Sequence, residues 1–169
     1  TRFDSWRAHA LAVGLTMLLL ALAYPRPGWW VLGHIALAPL TLLALQTTRV
    51  RRLMLTTWLG GWLWWLLMLR WLIPVTLPGY VVLCAYLGLY WLAYAWMVRR
   101  LDRLWRMPMV AAVPLAWVSL EFIRGHIVAG GFGWFGLSHI MANWQPTGRA
   151  PWMVQIADLG GEWTVSLLV

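Results

Sequence analysis

Apolar residues run along this chain in long stretches, separated by short breaks rich in arginine, proline and glycine. Each stretch but the last approaches the roughly 20 residues that a helix needs to cross a bilayer. The pattern predicts five complete transmembrane helices, at about 8–24, 29–46, 53–73, 80–98 and 107–124, and the start of a sixth from about 160. The first stretch carries Ala21-Leu22-Ala23, which is similar to a signal-peptide cleavage site. Its length, Pro25 and Pro27 close behind it, and the spans that follow favour a transmembrane helix. Pro74 and Pro78-Gly79 mark another turn, and Pro39 and Pro114 predict kinks inside their runs.

Two stripes stand out within the runs. Trp58, Trp62 and Trp65 share a helical face beside Gly60-Gly61, where small residues permit close helix contact. Tyr86, Tyr90 and Tyr94 recur at four-residue spacing, which predicts hydrogen bonds to a neighbouring helix in preference to a polar cavity. After Gly125 comes a connection spanning about 125–159, far longer than the others. Loops beyond about 12–15 residues are uncommon unless they serve a purpose. Phe132, Trp134, Phe135, Trp144 and Trp152 predict that it lies on the membrane interface or dips into it.

Composition turns the pattern into a class. Of 169 residues, 62% are hydrophobic and 11% charged, and mean hydropathy is +0.70. A soluble domain carries about a quarter charged residues; so few cannot cover a globule in water, whereas a lipid-facing surface needs none. The expected fold is an all-α membrane protein, a polytopic helical bundle forming one domain over residues 1–169. The net charge of +8 comes from thirteen arginines against five acids, with no lysine. Clustering between apolar runs fits the positive-inside rule better than a nucleic-acid face. Arg2, Arg7, Arg49, Arg51, Arg52, Arg99, Arg100, Arg103 and Arg106 fall on one side of the predicted topology, and Arg26, Arg70, Arg124 and Arg149 on the other. The richer side is expected in the cytoplasm with the N-terminus, which puts the loop 125–159 on the outer face.

Chemistry-bearing residues are few. Without lysine there is no Schiff base or lysine general base. Cys84 lies in an apolar run between Leu83 and Ala85 and is expected to be packing material. No P-loop, HExxH, CxxC or GxSxG signature occurs, and no histidine pair has zinc-ligand spacing, so neither metal nor cofactor is expected. His126 and His139 are expected to be ordinary interfacial histidines rather than headgroup ligands. Glu121 and Arg124 stand three residues apart on one helical face and can pair. An ionisable pair at the edge of a span either marks a site or anchors a helix end, and the pair alone leaves both readings open.

Several blocks, in order, carry a resemblance: Ala23-Tyr24-Pro25 with Gly28-Trp29-Trp30, Leu87-Gly88-Leu89-Tyr90, Glu121-Phe122-Ile123-Arg124-Gly125, Gly131-Phe132-Gly133-Trp134, Gly136-Leu137-Ser138-His139 and Leu159-Gly160-Gly161-Glu162-Trp163. Together they resemble the membrane part of the apolipoprotein N-acyltransferases of the bacterial cytoplasmic (inner) membrane. The resemblance implies eight transmembrane helices with a nitrilase-like α/β domain on the outer side between the last two. It implies transfer of an acyl chain from a phospholipid, through a thioester, to the amino terminus of a diacylglyceryl-cysteine lipoprotein. The Glu-Lys-Cys set of that domain has no counterpart here, so no catalytic residue is assigned and the chain is expected to stop short of that domain. The lipid-binding candidates are Glu121, Arg124, Gly131, Phe132, Trp134, Phe135, Ser138 and His139: Gly131 and Gly133 would let backbone approach a lipid closely, Phe132, Trp134 and Phe135 would hold acyl tails, and Arg124 could meet a phosphate. The sequence departs from the family at Gly133, where proline is usual, at Leu137-Ser138-His139, where a Tyr-Ser-Gln-like triplet is usual, and over 143–151, which looks inserted. The alternatives are a non-catalytic membrane scaffold and a small transporter.

Overall fold

A computed structural model describes residues 2–24, 28–127, 131–142 and 152–169, and every regular element among them is helical. The turn residues Pro25, Arg26 and Pro27, and Trp144, Arg149 and the inserted segment 143–151, lie outside the described residues. Nine α-helices are described: α1 (Trp6–Ala23), α2 (Gly33–Ala36), α3 (Ala38–Gln46), α4 (Val50–Met68), α5 (Leu77–Trp105), α6 (Met109–Phe122), α7 (Ser138–Ala142), α8 (Ala157–Gly160) and α9 (Glu162–Leu168). The chain divides into two compact units, one of Thr1–Met17 with Pro39–Arg106, the other of Leu18–Ala38 with Met107–Val169.

In the first unit α4 and α5 pack closely, and glycines set the distance. A Cβ on Gly88 would stand 2.8 Å from the backbone nitrogen of Trp62 and 3.1 Å from the Trp58 carbonyl oxygen, so the two helices approach backbone to side at this point. Gly61 makes the reciprocal room for the ring of Trp91, as the Gly60-Gly61 pair predicts. Trp58 donates its indole N–H to the Ala85 carbonyl at 3.1 Å and stacks on Trp62. The tyrosine stripe meets the expected bond to a neighbouring helix at Tyr94, whereas Tyr86 and Tyr90 pair along α5 itself. Tyr94 is fully buried and bonds to Thr41 on α3 at 2.6 Å, while Tyr86 and Tyr90 bond to each other at 2.6 Å. Cys84 is buried packing.

Polar side chains tie the ends of this unit. Thr16 accepts the Leu40 N–H at 3.1 Å, one of the first-turn donors that α3 cannot satisfy internally. Asp4 accepts three bonds of 2.8 Å, from the Thr47 hydroxyl and from the backbone and hydroxyl of Thr48. Buried His9 lies within hydrogen-bond reach of Thr56 and Thr47.

The helix bounds differ from expectation where arginine was read as a break. Arg51 and Arg52 lie inside α4, and α5 covers 77–105 in place of 80–98. Arginine is a good helix former, so its charge marks a membrane boundary without ending the helix. True stops come from the backbone. Thr76 caps α5 by accepting the Gly79 N–H, Pro78 sits in the first turn, and Arg106 ends the helix at φ 47°. The predicted second span is broken instead of merely kinked: a 3₁₀ turn at Trp30–Leu32 leads into α2, then Leu37 interrupts before α3. Among the described residues, three helical stretches are long and apolar enough to cross a membrane: Trp6–Ala23, Leu77–Trp105 and Met109–Ile127. Leu11, Val82 and Val110 are more than two-thirds exposed on these stretches, an arrangement that suits lipid and not water.

In the second unit α6 contains Pro114 and passes into a π-helical turn, Ile123–Ile127. The predicted long loop is not structureless where described. It holds α7, a 3₁₀ turn at Trp152–Ile156 and α8, and α9 begins at Glu162, close to the predicted start of the sixth segment.

Candidate functional site

The site grows from the last turn of α6. Glu121 is 4% exposed, and an ionised carboxylate at such a position needs donors. It has two at Oε1. One is the indole N–H of Trp117, a turn earlier on the same helix, at 2.7 Å; the other is the backbone N–H of Leu137 at 2.8 Å. Arg124, equally buried, follows in the π-helical turn and supplies an opposing charge that bears on the carboxylate. Wide turns of this kind are rare and frequent at functional sites. The arginine donates from Nη2 toward the Phe135 carbonyl at 3.4 Å. Tyr24, just past α1, donates its hydroxyl to the same carbonyl at 2.7 Å, with the Gly136 carbonyl at 3.2 Å.

These bonds hold the segment 131–137 by its backbone. Phe132 donates to the Arg124 carbonyl at 2.7 Å. Gly131 sits at φ 89°, and a Cβ there would run into the Gly125 carbonyl, so its missing side chain serves the chain's own turn. Phe135 takes φ 60°, which ordinary residues seldom adopt, and its ring meets Tyr24 edge-on at 5.3 Å. Trp134 between them is 58% exposed. Below, Ser138 donates its backbone N–H to Ser166 at 3.0 Å, and His139 Nε2 lies 3.0 Å from Glu162 Oε2. Phe122, His126 and Trp163 form a ring cluster with centroids 4.8–5.5 Å apart.

A polar niche lies within this shell. The point where a Cβ of Gly136 would stand is 3.4 Å from Ser138 Oγ, 3.8 Å from Glu121 Oε2 and 3.9 Å from His139 Nε2. Glu121 Oε2 and Ser138 Oγ are both buried there, and the Ser166 hydroxyl also bears on the Glu121 carboxylate.

Of the residues singled out from the sequence, Glu121, Arg124, Phe135, Ser138 and His139 come together here. Phe132 joins through its backbone, and Trp134 is more than half exposed. Tyr24, Trp117, Glu162 and Ser166 complete the shell and were not singled out. Trp117 was findable, because it stands four residues before Glu121 on one helix. Glu162 lies in one of the family-like blocks but was not named as a candidate, and Ser166 carries no local signal, since only the tertiary fold brings α9 to α7. Among the described residues no cluster of three or more metal-binding side chains occurs.

A family model described as the apolipoprotein N-acyltransferase N-terminal domain matches residues 17–169. The apolipoprotein N-acyltransferase of Geobacter metallireducens is 33% identical to 96% of this chain, and that of Rhodopirellula baltica is 30% identical to 82% of it. The chain spans about a third of the first relative's length and a quarter of the second's. No solved structure matches it. Its apolar helices are those of a membrane protein, and the chain belongs to the apolipoprotein N-acyltransferase family, matching it over the N-terminal domain.

Proposed function

We propose that this chain is the membrane-embedded part of an enzyme that moves an acyl chain from a phospholipid to the amino terminus of a diacylglyceryl-cysteine lipoprotein. Five membrane-spanning helices, the start of a sixth, and an outward-facing loop over 125–159 make up this part, in the inner membrane with the N-terminus in the cytoplasm. It binds and positions lipid, and the reacting groups lie outside residues 1–169. The chain alone transfers no acyl group.

The observation that carries this reading is the buried Glu121–Leu137 and Tyr24–Phe135 bonding, which fixes segment 131–137 while leaving Trp134 exposed. A rigid loop presenting a large aromatic ring suits an acyl tail, because aromatic side chains give contact area at little entropic cost. Arg124 adds a guanidinium suited to a phosphate. Lysine is absent and Cys84 is buried in α5, which supports placing thioester chemistry elsewhere.

The test is apolipoprotein N-acylation in cells that depend on the gene product carrying this chain, read by mass spectrometry of lipoprotein N-termini. Trp134→Ala and Arg124→Ala lower N-acylation. Unchanged N-acylation by both variants contradicts the proposed roles, provided the proteins are present at normal levels.

A further inference from the structure

At the arginine-rich end of the first unit, α4 and α5 enclose a cleft of about 260 Å³ lined by Val50, Met54, Trp96, Arg99, Arg100, Arg103 and Leu104. Three arginines share this mainly apolar lining; Asp102 is not part of it, although its charge bears on Arg99. Arg99 is the buried member, 6% exposed. Its Nη1 donates to the carbonyls of Ala44 and Thr47, closing the C-terminal end of α3. Those partners are neutral, and Nη2 is buried with no hydrogen-bond partner; the charges that bear on Arg99 are Asp102, one turn along α5, and the like charge of Arg103. Arg100 lies over the Trp96 ring at 5.3 Å, which braces one wall.

We infer that this cleft binds the phosphate of an anionic membrane phospholipid, with Arg99 and Arg103 as its ligands. The volume falls below the roughly 300–1,000 Å³ of pockets that enclose whole small molecules, a scale that fits a headgroup phosphate with its tails outside. The surroundings provide for those tails, since Val50, Trp96 and Leu104 are apolar and 42–63% exposed. Basic pockets between membrane helices recognise acidic headgroups in this way. The inference needs only the membrane embedding of the chain. Its failure leaves the acyl-transfer proposal standing, and failure of that proposal leaves this site in place.

The test is retention of dioleoyl-phosphatidylglycerol against dioleoyl-phosphatidylcholine by the protein in detergent micelles, read by native mass spectrometry. The wild type retains phosphatidylglycerol preferentially. Arg103→Gln, at an exposed position that no fold contact requires, reduces the preference on the order of fivefold, the effect of one arginine near an anionic surface. Arg70→Gln removes the same charge outside the cleft and leaves the preference unchanged. Arg99→Gln abolishes the preference where it folds, and Arg103→Gln decides the matter where it does not. Equal retention of the two lipids, or equal loss in Arg70→Gln and Arg103→Gln, overturns the inference. Displacement of phosphatidylglycerol by millimolar inorganic phosphate also overturns it, because the cleft is then a site for free phosphate.

Discussion

Glu121 and Leu137, 16 residues apart, are joined by a bond of 2.8 Å from the Leu137 backbone N–H to the Glu121 carboxylate. That bond links the end of α6 to the turn entering α7, and the Trp117 indole shares the same oxygen. Glu121→Ala therefore strips two buried donors of their acceptor and removes the counter-charge of Arg124. Breaking a buried ionic arrangement from one side costs about 3–5 kcal/mol. Glu121→Gln keeps an oxygen for both donors and loses only the charge, so its cost is smaller. Denaturant unfolding in micelles, followed by tryptophan fluorescence, ranks wild type above Gln and Gln above Ala.

Tyr24→Phe keeps the ring against Phe135 and deletes only the donor. The Phe135 carbonyl retains the long contact from Arg124, but the Gly136 carbonyl loses its hydroxyl partner. The expected loss is about 1–3 kcal/mol, that of an unsatisfied buried polar group. Hydrogen exchange then accelerates at the amides of 132–138, with α5 amides unchanged.

Gly131→Ala has no comfortable conformation, because φ 89° and the Gly125 carbonyl both exclude a Cβ. The turn is expected to open and release the Phe132–Arg124 backbone bond. Faster exchange at the Phe132 amide, with α4 and α5 unaffected, is the signature; an unchanged rate contradicts this account of the turn.

The helix pair in the first unit offers a matched comparison. Gly88→Ala pushes a methyl group into the backbone of α4, and overpacking of this kind costs about 1–3 kcal/mol. Gly14→Ala, in α1, meets nothing within 4 Å. There the better helix propensity of alanine should leave stability equal or slightly raised. The two thermal midpoints should move apart; a shared shift contradicts the close-approach account.

How much of this was legible beforehand depended on whether the signal was local. Helix positions followed from apolar runs, and the Gly60-Gly61 and tyrosine stripes anticipated real packing because helical spacing alone places those residues on a face. Helix ends were misread at Arg51–Arg52 and Arg99–Arg103, where charge was taken for a break although arginine propagates helix readily. The break at Leu37 lies two residues before Pro39, where only a kink was expected; proline has no N–H to bond back to Ile35, and the helix parts there. In the candidate site, the Glu121 and Arg124 pair was visible from three-residue spacing. Leu137 and Ser166 act through a backbone amide and a lone hydroxyl, which no side-chain pattern reveals. The free space around Gly133, where the family usually has proline, is equally invisible in the chain itself.

The central claim is that segment 131–137 is held at the outer membrane face while the arginine-rich helix ends face the cytoplasm. Cysteine labelling tests it directly, in a Cys84→Ala background with one cysteine introduced at a time, using a membrane-impermeant maleimide on intact spheroplasts. Trp134→Cys should react before permeabilisation and Arg103→Cys only after it. The reverse order of labelling would contradict the account.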